Sequence, residues 1–216
     1  MNLVSGLTME SAAALPGVTA TFAGAGIPSW SLVTDGSDLA LASRLRQLGF
    51  VPGHPRPAGI LDPLPHRPVT VAAHGLRVTE ARTADEEDLF LDTLVAGYRV
   101  GAELGGFLRA EHSAPGLRRF LAWQQDQPVA AAAFSVHRDV AVIGGAATLP
   151  EARGRGAQLA LLGHRLSQAA ETGAQAAMVT AAPGSASARN LARTGFVMRD
   201  RMSWGLPGEG GLHRVR

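Results

Sequence analysis

The 216-residue chain has no cysteine and no lysine, so every one of its 20 Lys/Arg positions is arginine. Without cysteine there is no disulfide, no thiolate nucleophile and no Cys-ligated zinc. Without lysine there is no Walker loop, whose Gly-Lys-Ser/Thr ending carries the phosphate-binding cation, and no Schiff base or lysine-anchored pyridoxal cofactor. Tyrosine occurs once, at Tyr98, and aromatics make up only 5% of the chain. The pI of 10.3 accompanies a formal charge of only +2, because with no Lys or Cys almost nothing titrates between histidine and arginine. The arginines are scattered and do not interleave with aromatics, so the chain does not read as a nucleic-acid binder.

No stretch approaches about 18 uninterrupted apolar residues, so no membrane span is expected. Met1–Leu15 lacks a basic leader and carries Glu10, which does not read as a signal peptide. A cytoplasmic protein is the expectation. His54, His66 and His74 lie in a Pro-rich segment without metal-ligand spacing, and no metal site is expected. With 46% hydrophobic and 18% charged residues, the chain can bury a large core as one large domain or one and a half.

What is present is a short glycine turn. Arg153-Gly154-Arg155-Gly156-Ala157 follows the apolar run Val140–Leu149 and precedes Leu159, Leu161, Leu162, Leu166 and Ala169, which recur at helical spacing. A turn that leaves a strand and opens a helix aims unpaired N–H groups at one point, where the helix dipole favours an anion. The glycines let the backbone approach a bulky anion, and the two arginines add charge beside it. Phosphate or pyrophosphate is the natural ligand. A dinucleotide fingerprint fits poorly, since its third glycine falls on Leu159 and the expected acidic residue further on is missing except for Glu171.

The segment Pro150–Leu162 resembles the acetyl-CoA loop and helix of the GNAT-superfamily N-acetyltransferases, whose pattern is Arg/Gln-x-x-Gly-x-Gly/Ala. The match begins at Arg153 and fits at Gly156; the last position is Gln158 in place of Gly or Ala. A second segment, Gly184–Phe196, resembles the last helix of that family and its Gly-Phe ending. The resemblance covers about Leu76–Trp204. It implies an α/β (α+β) fold with a central mixed, mostly antiparallel sheet flanked by helices. It also implies that Thr148, Leu149, Arg153, Gly154, Arg155, Gly156, Ala157, Gln158 and Asn190 hold acetyl-CoA. Gly195 has a separate structural reading, as the left-handed residue that ends a helix.

The rest of that region follows from local patterns. Leu76–Ala81 alternates as a strand, and Thr83-Ala84-Asp85-Glu86 reads as a capping box opening a helix that carries Leu89, Phe90, Leu94 and Val95. The acidic run Asp85–Asp88 fits a solvated first turn. Tyr98–Arg109 is expected as a loop and second helix, a region that in the family borders the acceptor amine. Leu117–Gln125, Val129–His137 and Val140–Leu149 read as a meander with turns at Asp126-Gln127-Pro128 and Arg138-Asp139, and Ala176–Ala181 as a short buried strand.

The first third shows an internal echo. Leu32-Val33-Thr34 and Leu45-x-x-x-Gly49-Phe50-Val51 align without a gap onto Met178-Val179-Thr180 and Leu191-x-x-x-Gly195-Phe196-Val197. The expected units are a strand at Leu3–Leu7, a helix within Met9–Ala25, a strand at Trp30–Thr34, a helix at Asp38–Leu48 and a strand from Phe50. The copy lacks the loop: Leu7-Thr8-Met9-Glu10 stands where the complete domain has Arg-Gly-Arg-Gly. The domains expected are a degenerate half-module with a stiff Pro-rich linker (residues 1–68, the linker over Pro52–Pro68), the acetyltransferase domain (69–206) and a loose tail (207–216).

The resemblance implies direct attack of an amine on a thioester polarised by a backbone N–H near the end of Val140–Leu149. The acid and base are less legible. The position where many family members carry a tyrosine is Leu191, and Val140–Leu149 contains no carboxylate. His137, Asp139 and Glu103 are the candidates to deprotonate the acceptor, directly or through water. Three functions follow: an acetyl-CoA-dependent N-acetyltransferase, a noncatalytic acyl-CoA sensor, and an interaction scaffold, with a homodimer compatible with each.

Overall fold

The computed structural model describes residues 3–65 and 75–207. The chain divides into two units, one comprising Met1–Gly59, Ala181–Ala188 and Met198–Arg216, the other Ile60–Thr180 and Arg189–Val197.

The first unit is built from β1 (Leu3–Ser5), a 3-10 turn at Ser11–Ala14, α1 (Leu15–Gly24), β2 (Ser31–Asp35), α2 (Leu39–Gln47), β3 (Val51–Pro55) and β11 (Arg201–Gly205). Asp38 caps α2 by accepting the Leu41 N–H at 2.9 Å, and Leu41 and Leu45, one turn apart, are buried. They join Leu15, Leu32, Phe50 and Trp204 in one core, where Phe22 stacks on Trp30 and Phe50 meets the same ring edge-on. The sheet order is β1-β2-β11-β3, with β1 parallel to β2 and β11 antiparallel to both its neighbours.

The Pro-rich stretch expected as a linker contains the boundary between the two units, between Gly59 and Ile60. It holds β3 and β4 (Ala58–Leu61), and residues 66–68 of it lie outside the described residues. Proline is tolerated in β3 because that strand is at the edge of its sheet, where a missing N–H forfeits no ladder bond on the open side. The expected tail lies outside the described residues from position 208 onward.

The larger sheet runs β10-β4-β9-β8-β7-β6-β5. Its strands are β5 (Leu76–Glu80), β6 (Arg118–Gln124), β7 (Gln127–His137), β8 (Val140–Thr148), β9 (Ala176–Thr180) and β10 (Val197–Arg199), together with β4. Its helices are α3 (Ala84–Tyr98), α4 (Ala102–His112), α5 (Ala157–Glu171) and α6 (Ala186–Arg193). The expected mixed α/β architecture is what forms: β5 to β8 pair antiparallel in chain order, and β9 pairs parallel to β8. The expected turn at Asp126-Gln127-Pro128 is tighter than anticipated, because Gln125 adopts a left-handed φ of 54° and Gln127 and Pro128 already belong to β7.

The anticipated capping box forms at α3, with Thr83 Oγ1 accepting the Glu86 N–H and Glu86 Oε2 accepting the Thr83 N–H at 3.0 Å. From it, Phe90, Leu91 and Leu94 pack on Leu121, Ala131 and Ala133 of the sheet. Alanines at 130–133, all fully buried, keep the centre of β7 thin enough for helices to close on it.

One ion pair anchors β5 to β6. Glu80 accepts from Arg118 Nε at 2.6 Å and Nη2 at 3.0 Å, and from Arg82. The Arg118 hydrogen bond, more than any other cause, holds the Glu80 carboxyl below its usual range. A lowered folded pKa means that this stabilisation is complete above the ordinary glutamate range, about pH 4.3, and is lost as pH falls through the folded value. Glu80→Gln is therefore expected to lower stability near neutral pH by roughly 1–2 kcal/mol and to flatten the loss of stability below about pH 5. Urea unfolding at stepped pH checks both.

Candidate active site

The site begins with a strand that outruns its neighbour. β9 follows β8 only from Val140↔Ala176 to Ile143↔Val179, whereas β8 remains paired to β7 as far as Thr148↔Ala130. Gly144–Thr148 thus present an edge toward β9 that no residue of β9 pairs. The same stretch carries a bulge. Ala133 pairs with Gly144 and Ala131 with Ala147, so Gly145 and Ala146 together oppose Ala132. Gly145 sits at φ 51°, a conformation that suits glycine.

Three side chains converge on the bulge. Tyr98, the last residue of α3, receives the Ala146 N–H at its phenol oxygen, and burial raises its pKa above the ordinary value. Arg165 of α5, only 2% exposed, donates to Ala133 O at 2.9 Å, Gly144 O at 3.1 Å and Leu161 O at 3.2 Å. Burial pushes Arg165 down to about 10, which leaves it charged at neutral pH, and its charge favours the ionised phenol of Tyr98. His112 of α4 is 7% exposed, and its ring lies directly against Gly145: a Cβ at that glycine would sit 2.0 Å from Nε2.

At the end of β8 the chain enters the glycine turn. Gly154 and Gly156 adopt φ of 78° and 86°, and Gly156 is the N-cap of α5. Ala160 closes on Gly156 O at 3.0 Å, so the N–H groups of Ala157, Gln158 and Leu159 are the ones a helix start leaves for a ligand. Alternating left-handed glycines ahead of that start shape a concave nest suited to phosphate oxygens.

The two arginines of the turn also have partners within the protein. Arg153 donates to Thr148 O at 3.2 Å and to Gly97 O at 3.0 Å, tying the last turn of α3 to the end of β8. Gly97 allows that approach, since a Cβ there would be 2.7 Å from the Cβ of Ala147. Arg155 donates to Gln124 Oε1 at 3.0 Å. Both guanidiniums thus brace the loop, and the backbone is what faces outward for an anion.

Gln158, the departure from the family pattern, has a partner. Asn190 of α6 donates to its Oε1 at 2.7 Å, so the two polar residues singled out from separate motifs meet beside the start of α5. Gly195, at φ 92°, ends α6 as the left-handed residue anticipated, with Phe196 N–H bonded to Leu191 O at 3.1 Å.

The structure does not bring the base candidates to this edge. His137 and Asp139 flank the turn that begins β8, five residues before Gly145, or roughly 16 Å of strand. They are close to the loop in sequence order and at the wrong end of the strand in space. Glu103 is exposed in the first turn of α4, nine residues and about 13 Å of helix from His112. His112 and Arg165 are candidates that sequence reasoning missed; neither carries a motif, and only the packing of α4 and α5 onto the bulge reveals them. Among the described residues no cluster of three His, Asp or Glu side chains has metal-binding geometry, and no helix is long and apolar enough to cross a membrane.

A nest at the end of a strand with an open, bulged edge is a site suited to an extended ligand that carries an anion at one end. Residues 80–196, more than half of the chain, match the model of the acetyltransferase (GNAT) family. The chain belongs to that family and is an acyltransferase. It is similar over 95% of its length to 78% of a GCN5-related N-acetyltransferase from Kribbella flavida, with a TM-score of 0.72 and 20% identity. A GCN5-related N-acetyltransferase from Sphaerobacter thermophilus matches over 94% of this chain and 71% of its own, with a TM-score of 0.68 and 15% identity. A tandem GNAT protein from the clavulanic acid biosynthesis pathway matches over 81% of this chain and 63% of its own, with a TM-score of 0.59 and 17% identity. No curated protein sequence matches the chain.

Arg165 offers a direct test of how the bulge is held. Arg165→Met removes the donors of the two sheet carbonyls of Ala133 and Gly144 and is expected to cost about 2–6 kcal/mol, each unsatisfied acceptor contributing about 1–3 kcal/mol. A melting curve that matches wild type would show that the bulge keeps its shape without the guanidinium.

Proposed function

We propose that the protein is an acetyl-CoA-dependent N-acetyltransferase that transfers an acetyl group to an amine of a small molecule or peptide by direct attack. The observation that carries this reading is the alignment along one path of the nest at 154–159, the Gln158–Asn190 pair and the open edge of β8. The nest suits a pyrophosphate, and Thr148 and Leu149 lead from it along the strand toward the bulge. There the phenol of Tyr98 holds the Ala146 N–H, which would polarise a thioester carbonyl once the substrate displaces that phenol, with the fixed charge of Arg165 beside it. Holding the thioester by its distant pyrophosphate supplies orientation without proton chemistry.

The first unit, in this reading, is a degenerate copy of the second half of the acetyltransferase domain. Its support is strand order: β11 lies between β2 and β3, as β4 lies between β9 and β10, although in both cases the intervening strand comes from a distant part of the sequence. The same reading makes the protein cytoplasmic, with a monomer or homodimer as the working form and acetyl-CoA and an amine as its partners.

A second reading, a noncatalytic acyl-CoA sensor, is favoured by Leu191 at the usual tyrosine position and by the absence of a carboxylate in β8. Calorimetric titration with acetyl-CoA followed by thiol release against a panel of amines separates the two: turnover supports the enzyme, and binding without turnover supports the sensor. Gly156→Glu places a carboxylate in the nest at a left-handed position and is expected to abolish acetyl-CoA binding while the protein still melts cooperatively. Unchanged affinity would make the loop a connector.

A further inference from the structure

We propose that His112 is the general base that readies the acceptor amine, an inference that rests on the acyl-transfer reading above. Its ring is fixed on both sides. Nδ1 lies 2.9 Å from Leu108 O one turn back along α4, and a carbonyl can only accept, so the neutral ring carries its proton on Nδ1 and its lone pair on Nε2. Nε2 is the atom turned to Gly145, and the residue after that glycine supplies the N–H that faces the phenol of Tyr98. The base on α4 therefore abuts the glycine that directly precedes the Ala146 N–H on the bulged strand.

Gly145 makes this placement possible. A Cβ there would stand 2.0 Å from Nε2 and 2.4 Å from Cδ2, so any other residue at the bulge would expel the imidazole. The backbone of His112 is held as well, since Arg119, itself paired to Glu87, donates from Nε to His112 O at 2.6 Å. Among the described residues no side-chain nitrogen or oxygen is both sealed from solvent and without a partner. Nε2, which the Leu108 contact does not use, is therefore not fully sealed, although the residue as a whole is buried. The groups facing the ring are Glu111, whose Oε2 is 3.7 Å from Nδ1, Arg119 at its carbonyl, the Phe90 ring at 6.3 Å, and Tyr98 and Arg165 at the bulge.

The step balances as follows. Nε2 takes one proton from the acceptor ammonium, and the freed lone pair of the amine forms the C–N bond to the acetyl carbon. The C–S bond breaks with its electron pair going to sulfur, and the surplus proton on the new amide nitrogen ends on that thiolate. His112 returns its proton to solvent, so the products are the amide, free coenzyme A and one proton.

His112→Asn retains a donor near the Nδ1 position and removes the base. It is expected to lower kcat/KM at neutral pH by about 10²- to 10⁴-fold, to leave the Kd for acetyl-CoA within twofold, and to abolish the acidic limb of the pH profile. Near-wild-type kcat/KM or a surviving acidic limb would overturn the proposal, as would a loss that follows weakened acetyl-CoA binding. In the wild-type enzyme the midpoint of the acidic limb should coincide with the titration of the His112 ring followed by NMR. A mismatch overturns the proposal even if the variant does not fold. Failure of wild type to bind acetyl-CoA sinks the acyl-transfer reading itself; binding and turnover with a normal His112→Asn enzyme sinks only the assignment of the base.

Discussion

The bulge in β8 is the constraint on which the rest of the site depends. Two residues opposing one on β7 break the ladder where the strand has already lost β9 as a neighbour, and the break turns the Ala146 N–H away from β7. Such an irregularity persists only where its surroundings over-determine it. Here Arg165 bridges the carbonyls of Ala133 and Gly144 from beneath, and Arg153 ties Thr148 to the last turn of α3. The close seating of α3 and α4 then requires Gly97 and Gly145, each with a neighbour where a Cβ would stand.

Buried arginines act here as structural donors. A guanidinium satisfies several carbonyls from one rigid fork and keeps its charge even when burial lowers its pKa. In a chain without lysine, Arg165 thus combines two effects that few other residues could supply together: it completes the hydrogen bonding of a distorted strand and leaves a positive charge beside it. Arg153 and Arg155 likewise donate within the protein, to Thr148, Gly97 and Gln124.

Much of this was legible before any coordinates. The order of elements from Leu76 onward, the capping box at Thr83, the helix end at Gly195 and the nest at Gly154 and Gly156 all follow from local rules that act within a few residues, and local rules survive folding. The strands within the Pro-rich segment were less legible, because proline content describes what a strand cannot donate, and β3 occupies an edge where that donation is not required. The distance of the base candidates from the bulge was hidden for a different reason. His137 and Asp139 adjoin the strand that carries the site, but a strand has two ends, and α5 leaves from the other one.

By itself the sequence determined the acyltransferase family, the glycine turn and the helix it opens, because the chemistry of each is written into contiguous residues: glycine at positive φ, apolar spacing, and a polar residue at a helix start. Only the tertiary structure decided which side chains gather at the bulge. Tyr98, His112 and Arg165 come from three different helices and meet along Gly144, Gly145 and Ala146 of β8. No spacing along the chain encodes that meeting, since it arises from how those helices pack on the sheet.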